Sequence, residues 1–164
     1  MPTTRRLSAT FIEPGPDPAN RLRIEATAES GFDLSFDTVP ASEGGIGPGP
    51  TEAILASLAA CTAMDVASIL RKKRQVVERY RIEVSAQKAD AHPQVYTAIS
   101  VEHQVAGEVT AEALRRAIEL SATAYCPVSA MLSGSVPIDH RYRLQRKGAE
   151  DEAGLAAHTG PPAG

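Results

Sequence analysis

Two cysteines, Cys61 and Cys126, carry most of the chemistry open to this chain of 164 residues. They stand 65 residues apart, and neither has a second Cys or a His nearby at metal-ligand spacing. That pattern argues against a structural zinc site, and no metal or cofactor is expected. Cys61 lies among alanines in an apolar stretch, which suits a small buried hydrophobe. Cys126 precedes Pro127, where one helix ends and another can start. A helix N-terminus offers free N–H groups and the positive end of the dipole, which lower a thiol's pKa. The same position equally suits a residue that fills a helix junction. If the two meet in space they form a reversible dithiol; spacing alone leaves that open.

Two carboxylates lie near Cys61 in sequence. Asp65 is four residues on, about one helical turn, so it shares the face of Cys61. Beside a thiol an unpaired carboxylate works against the thiolate, so Asp65 calls for a cation. Glu52 is nine residues before Cys61, which on a continuous helix turns it to roughly the opposite side, at about 100° per residue. Glu52 also suits a helix start, where an acid complements the dipole. His103 and His140 fall on the apolar parity of their segments and read as satisfied core or interface histidines.

The elements that must position these groups follow from hydrophobic period. Leu7–Ala9–Phe11, Leu22–Ile24–Ala26–Ala28 and Phe32–Leu34–Phe36 alternate with polar residues and predict an antiparallel meander of three strands. A Gly- and Pro-rich loop runs over 39–50. Residues 52–73 hold no Gly or Pro and predict a long helix, apolar nearly all round, with Thr51 as its N-cap. Such a helix must be buried, and a partner subunit can supply part of the cover. A membrane span is the rival reading; Asp65, the small Ser, Thr and Ala residues and the lack of a second span argue against it. Two further strands follow, over 80–87 and 95–105, then an amphipathic helix from Thr110 to Cys126, a short helix from Val128 to Leu132, and a last strand from Val136 to Leu144. Residues 146–164, RKGAEDEAGLAAHTGPPAG, read as a disordered tail, leaving one domain over 1–145.

Composition removes several classes. Apolar residues make up 43% and charged residues 23%, so wholesale disorder is excluded. A net charge of −3 and 4% aromatics with no Trp argue against nucleic-acid partners. Two cysteines exclude a disulfide-rich scaffold. The opening MPTTRRLSATFIEPG has no long apolar run like that of a secretory signal, so a cytoplasmic protein with reduced thiols is expected.

Two segments together resemble a known family. GPGPTEAILASLAACTAMDVASIL, followed 65 residues after its Cys by ATAYCPVSAML, resembles the OsmC/Ohr proteins, named for osmotically inducible protein C and organic hydroperoxide resistance protein. The likeness spans about residues 5–145, and CTAMDVASILRKKRQ resembles one particular OsmC-like branch. It implies an α+β fold, an antiparallel sheet wrapping a long buried central helix, in an intertwined homodimer. It also implies a thiol peroxidase used in oxidative-stress defence. Cys61 would be the peroxidatic thiol and Cys126 the resolving one, with a dithiol or lipoylated protein as reductant. In the family an Arg from the N-terminal segment, held by a carboxylate, favours the thiolate. Arg21 and Arg23 are the candidates here, although both fall on the polar parity of their strand. In Ohr-type members the acid directly follows the loop Pro; here Thr51 holds that place and Glu52 comes one residue later. Asp65 is therefore the alternative Arg holder.

The expected function is a peroxidase acting on organic hydroperoxides, without nucleic-acid or membrane partners. The rival is a non-enzymatic OsmC-like protein that binds a small apolar or thiol ligand in the dimer cleft. A third reading keeps both cysteines as core residues of a purely structural dimer.

Overall fold

The computed structural model describes residues 4–12 and 22–162. The chain forms two compact units, Met1–Ile54 and Leu55–Gly164.

In the first unit, β1 (Leu7–Ile12), β2 (Arg23–Ala28) and β3 (Asp33–Asp37) form an antiparallel sheet in chain order. This is the predicted meander. Phe11 stands opposite Ile24, and Ile24 opposite Phe36, so the apolar parities align across the sheet. The β2–β3 turn needs Gly31, whose φ of 88° disfavours other side chains. The loop after β3 is organised by the buried Asp37 carboxylate. It accepts N–H bonds from Val39 at 3.1 Å and Ile46 at 3.2 Å, and the Arg23 Nε lies 3.3 Å from it. Asp37 thus satisfies loop donors that no ladder could reach.

Helix α1 covers Pro50–Lys72 and straddles the two units. Its start corrects the expected Thr51 cap. Pro50 is the first helical residue, where a missing N–H costs nothing. The Glu52 carboxylate accepts the Gly49 N–H at 2.9 Å, three residues back, as the acid of a capping box does.

In the second unit, β4 (Val76–Lys88), β5 (Tyr96–Glu108), β6 (Ile138–Gln145) and β7 (Glu152–Thr159) form a sheet in that order. Two expectations are corrected here. The sheet is mixed, because β5 and β6 run parallel. The crossover that parallel strands require is made by α2 (Ala111–Leu120) and α3 (Pro127–Leu132). The disordered tail is also overturned for 152–159, which form β7 against β6, from Ile138 opposite Thr159 to Leu144 opposite Glu152. The ladder supplies the order that small side chains do not advertise. Gly154 lies against the Tyr142 ring, where a Cβ would crowd it.

Within this unit α1 buries one stripe: Leu58, Thr62, Val66 and Leu70, each four residues from the last. Val66 and Leu70 pack with Val105, Leu114, Ile118 and Leu144, while Leu58 packs with Ile99, Val101, Cys126 and Ile138. Each fully buried Leu or Ile contributes about 1.5–3 kcal/mol. α1 has the length and hydropathy of a membrane span, yet its inner stripe belongs to this core. Its outer side stays open within this unit, where Met64 is 73% exposed. α2 starts at Thr110, whose hydroxyl accepts the Ala113 N–H at 3.2 Å.

Candidate active site

The two cysteines meet. Cys61 on α1 and Cys126 at the start of α3 are free thiols, the first half-buried and the second buried. Their sulfurs and a carboxylate oxygen of Asp65 all lie within 4.8 Å of one another. Cys61 and Asp65 share a face of α1, as their four-residue spacing requires.

Cys126 is delivered by a local irregularity. α2 does not run on regularly to Cys126, as its amphipathic pattern suggested. It passes into a single π-helical turn, Ser121–Tyr125, closed by the Cys126 N–H donating to the Ser121 carbonyl at 2.9 Å. Such wide turns often occur where a helix must re-aim a functional side chain. Here the turn places groups at both of its ends. Ser121 Oγ donates to Asp65 Oδ2 at 3.0 Å, and Cys126 joins Cys61. Pro127 then opens α3, and the Ser129 N–H donates to Cys126 Sγ at 3.3 Å.

The electrostatics of Cys126 differ from the sequence expectation. Burial, reinforced by a hydrogen bond to Cys61, pushes its thiol up to about 12, against the opposing pull of the Ser129 N–H. α3 has only six residues, and its weak terminal field does not offset desolvation. Burial thus disfavours the Cys126 thiolate.

Next to Asp65 stands a buried polar row that the sequence did not announce. The Tyr80 hydroxyl lies 2.6 Å from His103 Nδ1, and the His103 ring stacks on His140 at 5.9 Å between centroids. Burial, aided by the Asp65 charge, pushes the Tyr80 phenol up, so it is the donor to His103. Burial lowers His103 to about 3 and His140 to about 4, so both imidazoles are neutral. They were expected as satisfied core histidines. Both are fully buried, but His103 Nε2 and both His140 nitrogens have no partner among the described residues.

The other candidates fall elsewhere. Among the described residues, the hydrogen-bond partner of Asp65 is Ser121, and no Arg pairs with it. Arg23, half-buried, pairs with Asp37 at 3.3 Å. Arg21 lies outside the described residues. Glu52 caps α1. A concavity of about 210 Å³ lined by Ser85, Ile99, Asp139 and His158 contains neither cysteine. Ser121, Tyr80 and Asp37 escaped sequence reasoning. The available signal was parity, since Tyr80 shares the inner face of β4 with Ile82 and Val84.

Comparison with known proteins places this arrangement. A family model described as "OsmC-like protein" matches residues 42–141. Protein YhfA of Escherichia coli is 34% identical over 124 residues, covering 75% of this chain and 90% of that protein. The OsmC-like protein of Mycoplasma pneumoniae has 17% identity and a TM-score of 0.73, covering 88% of this chain and 99% of that one. The organic hydroperoxide resistance protein OhrB of Bacillus subtilis has 21% identity and a TM-score of 0.53, covering 88% and 98%. The two solved structures share the fold.

Proposed function

For this chain, which belongs to the OsmC-like family, we propose a thiol-dependent peroxidase that reduces organic hydroperoxides and serves in oxidative-stress defence. The observation that carries the reading is the unequal cysteine pair: a half-buried Cys61 and a buried Cys126 with their sulfurs within 4.8 Å. The name of the Bacillus subtilis relative points to the same substrate class.

The thiolate of Cys61 attacks the outer oxygen of the peroxide. The O–O bond breaks, the alkoxide takes a proton and leaves as an alcohol, and Cys61 becomes a sulfenic acid. Cys126 then attacks the Cys61 sulfur. Its thiol proton leaves with the sulfenic hydroxyl as water, and a Cys61–Cys126 disulfide remains. A dithiol or lipoylated protein restores both thiols by exchange. Asp65 and Ser121 are positioning residues beside the pair.

The working form is a homodimer, in the cytoplasm. Support comes from the uncovered side of α1, where Met64 is 73% exposed, and from Tyr125 and Met131 flanking Cys126 in sequence, 60% and 71% exposed. A second copy would cover apolar surface of this kind and give an alkyl hydroperoxide an apolar seat. Sedimentation at low micromolar concentration should show a dimer; a folded monomer there would remove this part.

The chemistry is tested by two variants. Cys61→Ser should abolish peroxide consumption. Cys126→Ser should allow one turnover and leave Cys61 as a sulfenic or over-oxidised species, detected by mass spectrometry. Equal activity of Cys61→Ser and the unaltered chain would reject the assignment. The second reading, a non-enzymatic protein binding an apolar or thiol ligand in the dimer cleft, is favoured by one observation: no cation pairs with Asp65 among the described residues. It predicts no thiol loss with peroxide in either variant.

A further inference from the structure

Cys61, Asp65 and Cys126 bring three anion-forming groups together with no cationic side chain paired to Asp65 among the described residues. Two thiolates and a carboxylate at this separation repel one another. A proton on each thiol relieves that repulsion, and so does a cation between them. We propose that these three residues form a binding site for a thiophilic divalent cation of the Zn²⁺ class, with a fourth position left open.

The donor set fits. Two sulfurs and one carboxylate oxygen suit a borderline-soft ion with four tetrahedral ligands, and hard ions prefer all-oxygen sites. With Zn–S about 2.3 Å and Zn–O about 2.0–2.2 Å, tetrahedral ligand atoms stand roughly 3.4–3.8 Å apart. The trio, all within 4.8 Å, closes onto an ion by about 1 Å, which small rotations of Cys61 or Asp65 accommodate. The surroundings fit too. Ser121 Oγ holds Asp65 Oδ2 at 3.0 Å and orients the carboxylate, while the Ser129 N–H supports Cys126 Sγ at 3.3 Å. Outer hydrogen bonds of this kind hold ligands in metal sites. Cys61 and Asp65 are half-buried, so solvent reaches the site. Spacing alone hid this possibility, because the fold, not the local sequence, brings Cys126 to the pair on α1.

Binding exchanges two thiol protons for one ion, and each sulfur keeps its electron pair in the metal bond. No oxidant or reductant takes part. Metal binding stands apart from the peroxidase reading, but an ion held by Cys61 would withhold that thiol from any electrophile.

The test uses the full reduced chain. Titration with Co²⁺ should give a thiolate-to-cobalt charge-transfer band and tetrahedral visible bands, saturating at one ion per chain. Excess Zn²⁺ should bleach both and slow alkylation of Cys61, and a chelator should restore it. Cys61→Ser and Cys126→Ser should each lose the charge-transfer intensity of one thiolate and bind far more weakly. Ser121→Ala should keep the spectrum and weaken binding by about tenfold to a hundredfold. Melting curves without metal establish that each variant is folded. Binding that persists unchanged in both cysteine variants places the ion elsewhere, for example at the Asp139–His158 pair, and overturns the proposal. So does the absence of a charge-transfer band in the reduced chain. A chain without that band that still loses two thiols to peroxide overturns metal binding alone; a chain that binds cobalt as described and consumes no peroxide overturns the peroxidase alone.

Discussion

The two sheets carry the same alternating pattern and use it differently. In the four-stranded sheet the inner parity is sealed: Val101, Ile138 and Leu144 are at 0% exposure, covered by α1, α2 and α3. In the three-stranded sheet the apolar parity stays largely open. Leu7 is 57% and Phe11 49% exposed, and Ala26 is the one strand residue of apolar type buried there among the described residues. Alternation states which face wants cover but not what covers it. In the homodimer proposed above, a second copy of the chain is the cover expected for that open face.

The contrast can be broken first at its strongest point. Leu114→Ala, at 0% exposure in the core, should cost about 2–5 kcal/mol, independent of protein concentration. Phe11→Ala should act through assembly instead, so that its cost in urea unfolding changes with concentration. Equal, concentration-independent losses would erase the distinction between the sheets.

The second sheet also buries His103 and His140 as neutral rings, whereas the first sheet's buried charge, Asp37, is paired with Arg23. A histidine whose folded pKa is depressed stabilises the fold only while the unfolded chain is also neutral. Stability is therefore full above the ordinary value of about 6.5 and declines as pH falls toward the folded values of about 3 and 4. By pH 5.5 the loss should reach about 2–3 kcal/mol for the pair, and His140→Leu should flatten this limb in urea titrations across pH. An acid limb unchanged by His140→Leu would remove the histidine from the account.

Two acids on one helix sharpen the comparison further. Asp65→Ala strands the buried Ser121 hydroxyl, at about 1–3 kcal/mol, and should alter Cys61 alkylation as well. Glu52→Ala loses only the capping bond to Gly49, about 0.3–1 kcal/mol, and should leave alkylation intact. Melting temperatures and Cys61 alkylation rates in the two variants decide it. Suppressed alkylation in Glu52→Ala with none in Asp65→Ala would reverse the assignment.

The meander, α1, the β4–β5 pair and the Thr110 start of α2 were legible because each rests on a local period or cap. β7 was not, because Ala153, Gly154 and Ala157 carry too little hydrophobicity to signal a strand that backbone pairing stabilises. The parallel β5–β6 pairing was not, because period two says nothing about direction. At the site, Asp65 beside Cys61 followed from four-residue spacing, but Ser121 did not. Its bond to Asp65 joins residues 56 apart and depends on a π-helical turn that no local pattern marks. The Tyr80–His103 bond likewise depends on strand register, which places His103 opposite Ile82.

Cys61 and Cys126 are proposed to act as one redox pair. Free thiols counted before and after one equivalent of cumene hydroperoxide test it most directly. Loss of two thiols per chain, recovered by a dithiol reductant, is expected. Two thiols remaining per chain after the peroxide would contradict it.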